Sequence, residues 1–308
     1  MSRSRLPVAI GVATLVFSLG MACGVATHTG NAASPEQLGT IPARTGNGNS
    51  SRAADFGSPL FDQIEQRRVL RVGTLADYPP IAAVDAKSGQ QVGFENDLAR
   101  DMAAAMGVKI QFVDVPFATL IAGLQGGKFD IIAAQMAIKS SRALAIDFTK
   151  PWEAVGDSVV VLKSSGIKSV ADLNKSNRSI AVILGGVEEQ TKAQFFPQAK
   201  AIAVNTEPEG FLNVMSRRAD AYVTDNVSAA IFARQHPEVT VLFDGTKAPL
   251  LANFPSATGV PKGNLEFIHW IDDFMAKEID SGRYTALWRK YVGGDPALST
   301  LEMERGQF

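Results

Sequence analysis

Two charged residues lie where this sequence could bind a small ionised molecule. Arg142 is in a predicted loop after the apolar run at residues 129–134, which is typical of a buried strand. A guanidinium presents a planar fork that pairs with both oxygens of a carboxylate, so Arg142 is a candidate anchor for a carboxylate ligand. Asp225 ends another predicted strand, where ligands of α/β sheets bind. It would also serve as the N-cap of a helix starting at Asn226, and the two roles are compatible.

Other kinds of chemistry find little support in the sequence. Gly126-Gly127-Lys128 is not a phosphate-binding loop, because the preceding glycine spacing is wrong and Phe129 follows the lysine. The chain has three scattered histidines and one cysteine, which allow no intramolecular disulfide and do not suggest a structural zinc site. We expect no cofactor and no metal. The net charge of −1 argues against a general affinity for nucleic acid or anionic membranes.

The N-terminus is typical of a secretory signal peptide. Arg3 and Arg5 form a basic start, residues 6–22 are mostly apolar, and small residues follow. We interpret residues 1–23 as a signal peptide, which predicts a periplasmic protein. An uncleaved membrane anchor is one alternative. Lipid attachment at Cys23 is another, although the three residues before it lack the leucine that usually begins a lipobox.

The folded part is predicted to begin near residue 59. Residues 24–58 are rich in Gly, Ala, Ser, Thr and Asn and lack hydrophobic periodicity, so we predict a flexible linker there. Strand-like apolar runs and amphipathic helices then alternate in two series, as in doubly wound α/β lobes. The helix at residues 94–106, for example, has an apolar residue at every fourth position. Prolines predict a turn at residues 77–80.

These segments, in this order, resemble the family 3 extracellular solute-binding proteins, the polar amino-acid receptors of ABC importers. The resemblance is carried by LRVGTLADYPP, GFENDLARDMAAAMG, LIAGLQGGKFDIIAAQMAIKSSR, IDFTKPW, SIAVILGGVEEQ and RRADAYVTD. It extends over essentially all of residues 60–294. It implies a type II periplasmic-binding-protein fold, with two doubly wound α/β lobes joined by a two-segment hinge. Lobe 1 would comprise residues 59–155 and 253–308, and lobe 2 residues 156–252.

The resemblance also implies a function. The protein would not be an enzyme; it would capture an amino acid or a related small carboxylate in the cleft between its lobes. Arg142 would clamp the α-carboxylate and Asp225 would bind the α-amino group. The partners would be this small molecule and the transmembrane subunits of an ABC permease, with no nucleic acid, and the protein would be a monomer.

Eight further residues fall at positions near the ligand in this family. They are Tyr78, Phe117, Gln135, Ala137, Lys139, Trp152, Gly186 and Val187. The aromatic residues would contact the ligand or, for Trp152, the hinge, but each could equally be part of the core. Lys139 replaces a common threonine and would either favour a ligand with an extra acidic group or point to solvent. Gly185-Gly186-Val187 replaces a threonine-rich turn, and Val187 cannot donate a side-chain hydrogen bond, although backbone N–H groups at this helix start could still face an anion.

A dehydratase on the same fold is the enzymatic alternative. RQHPEV and the pair Gly185-Gly186 resemble cyclohexadienyl and arogenate dehydratases. Their elimination needs a general acid, which the resemblance places at a glutamate three residues after the TD aspartate. Ser228 occupies that position here, and a hydroxyl is a poor acid at neutral pH. Glu189 lies near the predicted cleft, although it is also a common helix-start residue. A sensor module of a signalling receptor is a third, less favoured interpretation.

Overall fold

The computed structural model of the chain describes residues 59–296. The predicted signal peptide and linker therefore lie outside the described residues. Within residues 59–296, no helix combines the length and the apolar character needed to cross a bilayer.

The first half of this region contains short strands and four helices. In chain order they are α1 (Pro59–Arg67), β1 (Val69–Thr74), β2 (Asp77–Tyr78), β3 (Ala82–Val84), β4 (Gln91–Val92), α2 (Phe94–Ala105), β5 (Lys109–Asp114), α3 (Leu120–Gln125), β6 (Ile131–Ile132), α4 (Ser140–Ala143) and β7 (Asp147–Phe148). A 3-10 turn at Phe117–Thr119 leads into α3.

The second half begins with the longest strand. The elements are β8 (Glu153–Leu162), α5 (Val170–Leu173), β9 (Ser179–Ile183), α6 (Glu188–Phe195), β10 (Lys200–Val204), α7 (Glu207–Met215), β11 (Ala221–Asp225), α8 (Asn226–Gln235), β12 (Val239–Leu242), β13 (Asn253–Ser256), β14 (Gly259–Val260), α9 (Leu265–Asp280) and α10 (Arg283–Tyr291). Another 3-10 turn, Lys163–Ser165, follows β8.

Two mixed sheets organise these elements. The first has the order β5-β1-β6-β14-β7, with β5, β1 and β6 parallel and β14 antiparallel to its neighbours. The second has the order β10-β9-β11-β8-β12, in which β10, β9 and β11 are parallel and β8 is antiparallel. Strands β2, β3 and β4 form a small antiparallel sheet. Each large sheet carries its own apolar core, as two packed α/β layers require.

Strands β8 and β13 carry the chain between the two sheets. β8 follows β7 of the first sheet, and its residues 157–162 pair with β11 and β12 of the second. Its first residues, 153–156, pair antiparallel with β13, which leads back to β14 of the first sheet. The two connections are therefore hydrogen-bonded to each other as a two-stranded ribbon.

The structure corrects three local predictions. Asp77–Tyr78 form strand β2, paired with β3, because both residues keep the N–H groups that the following prolines lack. Arg142 lies in the one-turn helix α4 and not in a loop, since Ala143 donates its N–H to the Lys139 carbonyl at 2.8 Å. The strand predicted at residues 129–134 is shortened to β6.

Candidate functional site

A cavity of about 270 Å³ lies at one end of both large sheets. Its walls are the segments that follow β1, β5 and β6 on one side, and β9 and β10 on the other. Ligands of open α/β sheets bind beyond the carboxyl ends of the strands, and every wall segment starts at such an end. The topology therefore makes this cavity the candidate site.

Arg142 enters the cavity as a buried cation. It is 7% exposed, and it donates from Nη1 to the Ala137 carbonyl at 2.8 Å and from Nη2 to the Gly185 carbonyl at 2.9 Å. Its guanidinium lies 5.3 Å above the Phe117 ring. No carboxylate of the described region is within ion-pair distance of it. Burial lowers its pKa, and the charge of Glu188 only partly offsets this.

Asp225 is buried and saturated with donors. Its Oδ1 accepts the N–H groups of Val227 at 2.9 Å and Ser228 at 2.8 Å, so it is the N-cap of α8, as the sequence predicts. Its Oδ2 accepts the Tyr78 hydroxyl at 2.9 Å. Asp225 does not line the cavity, whereas Tyr78 does, so the tyrosine lies between the aspartate and the cavity. Burial raises the pKa of Asp225 against these hydrogen bonds.

Gln135 connects Tyr78 to two buried glutamates. Its side chain contacts the Tyr78 hydroxyl through Oε1 and Glu153 through Nε2, and its backbone N–H donates to Glu95 Oε1 at 2.9 Å. Gln135 has a φ of 49°, in the left-handed region that side chains rarely adopt. Burial raises the pKa of Glu95 to about 8, and it raises that of Glu153 well above its ordinary value.

Most of the charged residues that line the cavity are acidic. Asp77, Asp114, Glu188 and Glu207 line it, against Arg142 as the single base among the lining residues that the structure describes. Glu207 accepts the Tyr222 hydroxyl at 2.8 Å and also the Thr224 hydroxyl, which fixes its orientation. Burial raises the pKa of Glu207 to about 8, and burial together with the charge of Asp114 raises the pKa of Asp77. Crowded carboxyls of this kind favour a cation among them.

The comparison with known families agrees with this geometry. The model of the bacterial extracellular solute-binding proteins, family 3, matches residues 70–294. The chain belongs to this family. The resemblance to this family that the sequence indicated is thereby confirmed.

Individual relatives of this solute-binding protein cover most of it. The ABC transporter glutamine-binding protein GlnH of Bacillus subtilis is 27% identical over 84% of this chain and 93% of its own length. The crystal structure of an ancestral amino acid-binding protein, described as a precursor of cyclohexadienyl dehydratase, is 37% identical over 75% of this chain and 99% of that chain, with a TM-score of 0.70. A binding component of an ABC transporter from Wolinella succinogenes, complexed with lysine, is 33% identical over 74% of this chain and 97% of that chain, with a TM-score of 0.68. These structures confirm the predicted type II periplasmic-binding-protein fold.

Most of the residues predicted for the site of this solute-binding protein lie around the cavity. Those that line it are Tyr78, Phe117, Gln135, Ala137, Arg142 and Val187. Trp152 does not line it; it is 3% exposed and packs in the core against Phe94 and Tyr284, with ring centroids 6.2 and 6.5 Å away.

The remaining predicted residues lie beside the cavity. Lys139 is half-buried outside the lining, and its ammonium makes no hydrogen bond or ion pair with the described residues. Gly186 donates its N–H to the Ile183 carbonyl at 3.0 Å, so that group is not directed at a ligand. A Cβ at Gly186 would collide with the Glu188 carboxyl, which gives the glycine a steric role.

Sequence reasoning missed most of the acidic side chains. It named Glu189 near the cleft, but Glu189 is exposed and the neighbouring Glu188 lines the cavity. Glu207 looks like an ordinary acidic residue in the first turn of a helix, next to the N-cap Thr206. The periodicity of α6 could have separated Glu188 from Glu189, because only one of two adjacent helical residues faces the sheet.

Proposed function

We propose that this chain is the substrate-binding protein of an ABC importer for a cationic amino acid, which it holds in the cavity between its two sheets. The observation that carries the proposal is Arg142, a buried cation that faces a cavity and has no carboxylate partner among the described residues. A buried charge is costly unless it is paired. A ligand carboxylate supplies that pair in a planar, bidentate geometry.

The other groups of the cavity select what is attached to this carboxylate. Tyr78 and Phe117 provide aromatic surface for an aliphatic stem. Asp77, Asp114 and Glu207 present oxygens at the acidic end, where a terminal ammonium or guanidinium balances their charge. The α-ammonium binds Asp225 next to Tyr78. The volume of about 270 Å³ is just below the roughly 300 Å³ at which sites for drug-sized molecules begin, which suits an amino acid.

Similar proteins support an amino-acid ligand with a positive charge. The Wolinella succinogenes structure contains lysine, and an ancestral arginine-binding protein bound to arginine is 33% identical over 74% of this chain, with a TM-score of 0.67. Transport would require docking to the transmembrane subunits of a permease, and the protein would act as a periplasmic monomer. The lobe boundaries proposed for closure are residues 59–155 and 253–308 against residues 156–252.

The proposal does not include catalysis. Ser228 stands at the position of the dehydratase acid, and its N–H donates to Asp225 at 2.8 Å as part of the helix cap. The acidic lining also disfavours prephenate, which carries two carboxylates. Incubation of the protein with prephenate is expected to yield no phenylpyruvate, and robust turnover would show that the protein is an enzyme.

A thermal-shift screen tests the ligand class. Ligands that bind only the folded state raise the melting temperature by mass action. We expect shifts with L-arginine and L-lysine, smaller shifts with L-glutamine, and none with dicarboxylates. A shift with L-glutamate or a dicarboxylate alone would contradict the cationic assignment, and the absence of a shift with any amino acid would contradict the proposed function.

A further inference from the structure

A continuous series of side-chain contacts joins Asp225 to the first residue of the hinge strand β8. Tyr78 Oη contacts Asp225 Oδ2 at 2.9 Å on one side and the Gln135 amide on the other, and that amide contacts Glu153 Oε1. Gln135, Glu153 and Asp225 are 6%, 1% and 1% exposed. Tyr78 is partly exposed and lines the cavity, but each of these contacts joins two side-chain atoms directly, so its hydrogen must come from one of those two side chains.

The three contacts need three hydrogens. When Asp225 and Glu153 are both ionised, the four side chains supply only two. Tyr78 supplies one from its hydroxyl. The amide of Gln135 supplies one, since its nitrogen serves one end and its oxygen the other, whichever way the group is turned. A carboxyl proton must supply the third. It is on Asp225 if the amide nitrogen faces Glu153, and on Glu153 if the nitrogen faces Tyr78.

We propose that this series stores one proton and that the ligand's α-ammonium releases it on binding to Asp225. The inference rests on the proposed function, because it takes Asp225 as the ammonium site. An ammonium that donates to Asp225 Oδ2 takes the place of the Tyr78 hydroxyl there. Two contacts then remain, and the hydrogens of Tyr78 and Gln135 satisfy both. The third proton leaves to solvent, and the charge of the ammonium replaces it.

The groups around Glu153 favour the stored proton. Glu95 of α2 lies beside it and accepts the Gln135 N–H through Oε1, while the second carboxyl oxygens of both glutamates are buried without a hydrogen-bond partner. Burial, with the charges of Glu95 and Asp225, raises the pKa of Glu153. The hydrogen bond to Gln135 opposes these effects only in part, so Glu153 retains a proton to a pH well above that of an ordinary glutamate.

The groups around Asp225 act in the same direction. Asp157 of β8 is its cross-strand partner, 0% exposed, and opposed residues on antiparallel strands have Cβ atoms about 5 Å apart. Glu188 of α6 and Glu207 of α7 add acidic charge nearby. After burial, the charges of Asp225, Glu207 and Glu188 all raise the pKa of Tyr78. Burial and the charge of Asp225 raise the pKa of Asp157, and the hydrogen bond from the Thr191 hydroxyl lowers it. Lys139 is the cation that faces this group, and it lowers the pKa of Asp157 by the smallest of these effects. An ammonium that arrives among these acidic groups therefore favours the ionised form of Asp225.

Proton release fixes the sign of the pH dependence. The free protein binds one proton more than the complex, so ligand affinity rises with pH. While that difference is one proton, Kd falls about tenfold for each pH unit. Above the pH at which the free series loses its own proton, both states are deprotonated and Kd becomes constant.

Calorimetry of L-arginine binding measures the released proton directly. Binding enthalpies in phosphate and in Tris at about pH 7 differ by the number of protons released multiplied by the difference in buffer ionisation enthalpy. Glu153→Gln supplies the third hydrogen from its own amide, so we expect it to bind arginine and to release about one proton fewer than the unmodified protein. Asp157→Asn tests the competing source of a proton, since Asp157 is equally buried and opposite Asp225 but outside the series.

Three results would overturn the proposal. They are no proton release by the unmodified protein, equal release by Glu153→Gln, or a loss of release confined to Asp157→Asn. The first needs no variant, so it applies even if Glu153→Gln does not fold. If neither arginine nor lysine binds, the ligand assignment fails, and the stored proton is then sought in the free protein. An infrared difference spectrum against Glu153→Gln should show the deuterium-sensitive carbonyl band of a protonated carboxyl, and its absence would refute the stored proton.

Discussion

Arg142 and Asp225 are both buried charges proposed to hold one ligand, but the protein satisfies them to different degrees. Arg142 has five N–H donors, and its two hydrogen bonds with the described residues go to neutral carbonyls. Asp225 accepts two backbone N–H groups and the Tyr78 hydroxyl. Arg142 therefore needs a ligand anion for charge balance, whereas Asp225 exchanges one partner for another. Most of the binding free energy should come from the arginine, and discrimination between amino acids and plain carboxylates from the aspartate.

The largest expected effect comes from removing the guanidinium. Arg142→Ala should weaken arginine binding at least tenfold, because a charge-assisted and partly buried pair contributes about 2 kcal/mol or more. Calorimetry measures the affinity, and urea denaturation separately measures the stability lost with the bond to Gly185. Arg142→Lys keeps the positive charge but not the planar guanidinium, so its affinity for arginine should lie between those of the unmodified protein and Arg142→Ala. Unchanged affinity in Arg142→Ala would remove the carboxylate assignment.

A smaller and more selective effect is expected at the other anchor. Asp225→Asn should weaken arginine binding by about 1 kcal/mol, or about fivefold, because a neutral amide pairs less well with an ammonium. Asparagine is also a good N-cap, so the melting temperature should change little. The deamino analogue of arginine should bind both proteins equally. If it too lost affinity in the variant, Asp225 would not be the ammonium site.

The acidic end should alter selectivity more than overall affinity. Asp77→Asn should lower the affinity for lysine and arginine about threefold, the size expected for a partly exposed ion pair, while glutamine binding changes less. Asp62→Asn on the exposed face of α1 controls for the change in net charge. Equal losses for all three ligands would indicate a structural role for Asp77.

Trp152 should have the smallest effect on the ligand. Trp152→Phe should leave affinity within about twofold and lower the free energy of unfolding by about 1–2 kcal/mol, because it removes buried volume from the core around Phe94 and Tyr284. Calorimetry and urea denaturation measure the two quantities. A large loss of affinity without a loss of stability would place Trp152 in contact with the ligand after all.

The order of the longer strands and helices was predictable because each of them carries its own periodicity, whereas short elements such as β2 and α4 were not predicted. The position of Arg142 after β6 followed from that order. Its helix α4 did not, since Ser140 and Ser141 are weak helix formers. This one-turn helix contains Arg142, whose guanidinium donates hydrogen bonds to two backbone carbonyls.

The buried acidic groups could not be predicted in the same way. Glu95 and Glu153 meet at Gln135 from 40 and 18 residues away in the chain, and no local pattern encodes such distant contacts. Each glutamate, taken alone, looks like an ordinary residue at the start of a helix or strand. The chemistry of this part of the site appears once the packed segments are known.

The ribbon formed by β8 and β13 has a mechanical consequence. Four residue pairs, from Gly156–Asn253 to Glu153–Ser256, connect the two strands in register. A paired ribbon bends across its plane more easily than its strands slide past each other, because sliding would break the whole ladder of hydrogen bonds. Opening should therefore be rotation about a single axis near Gly156, with little shear. The torsional stiffness of a few backbone pairs would then set how often the cleft opens.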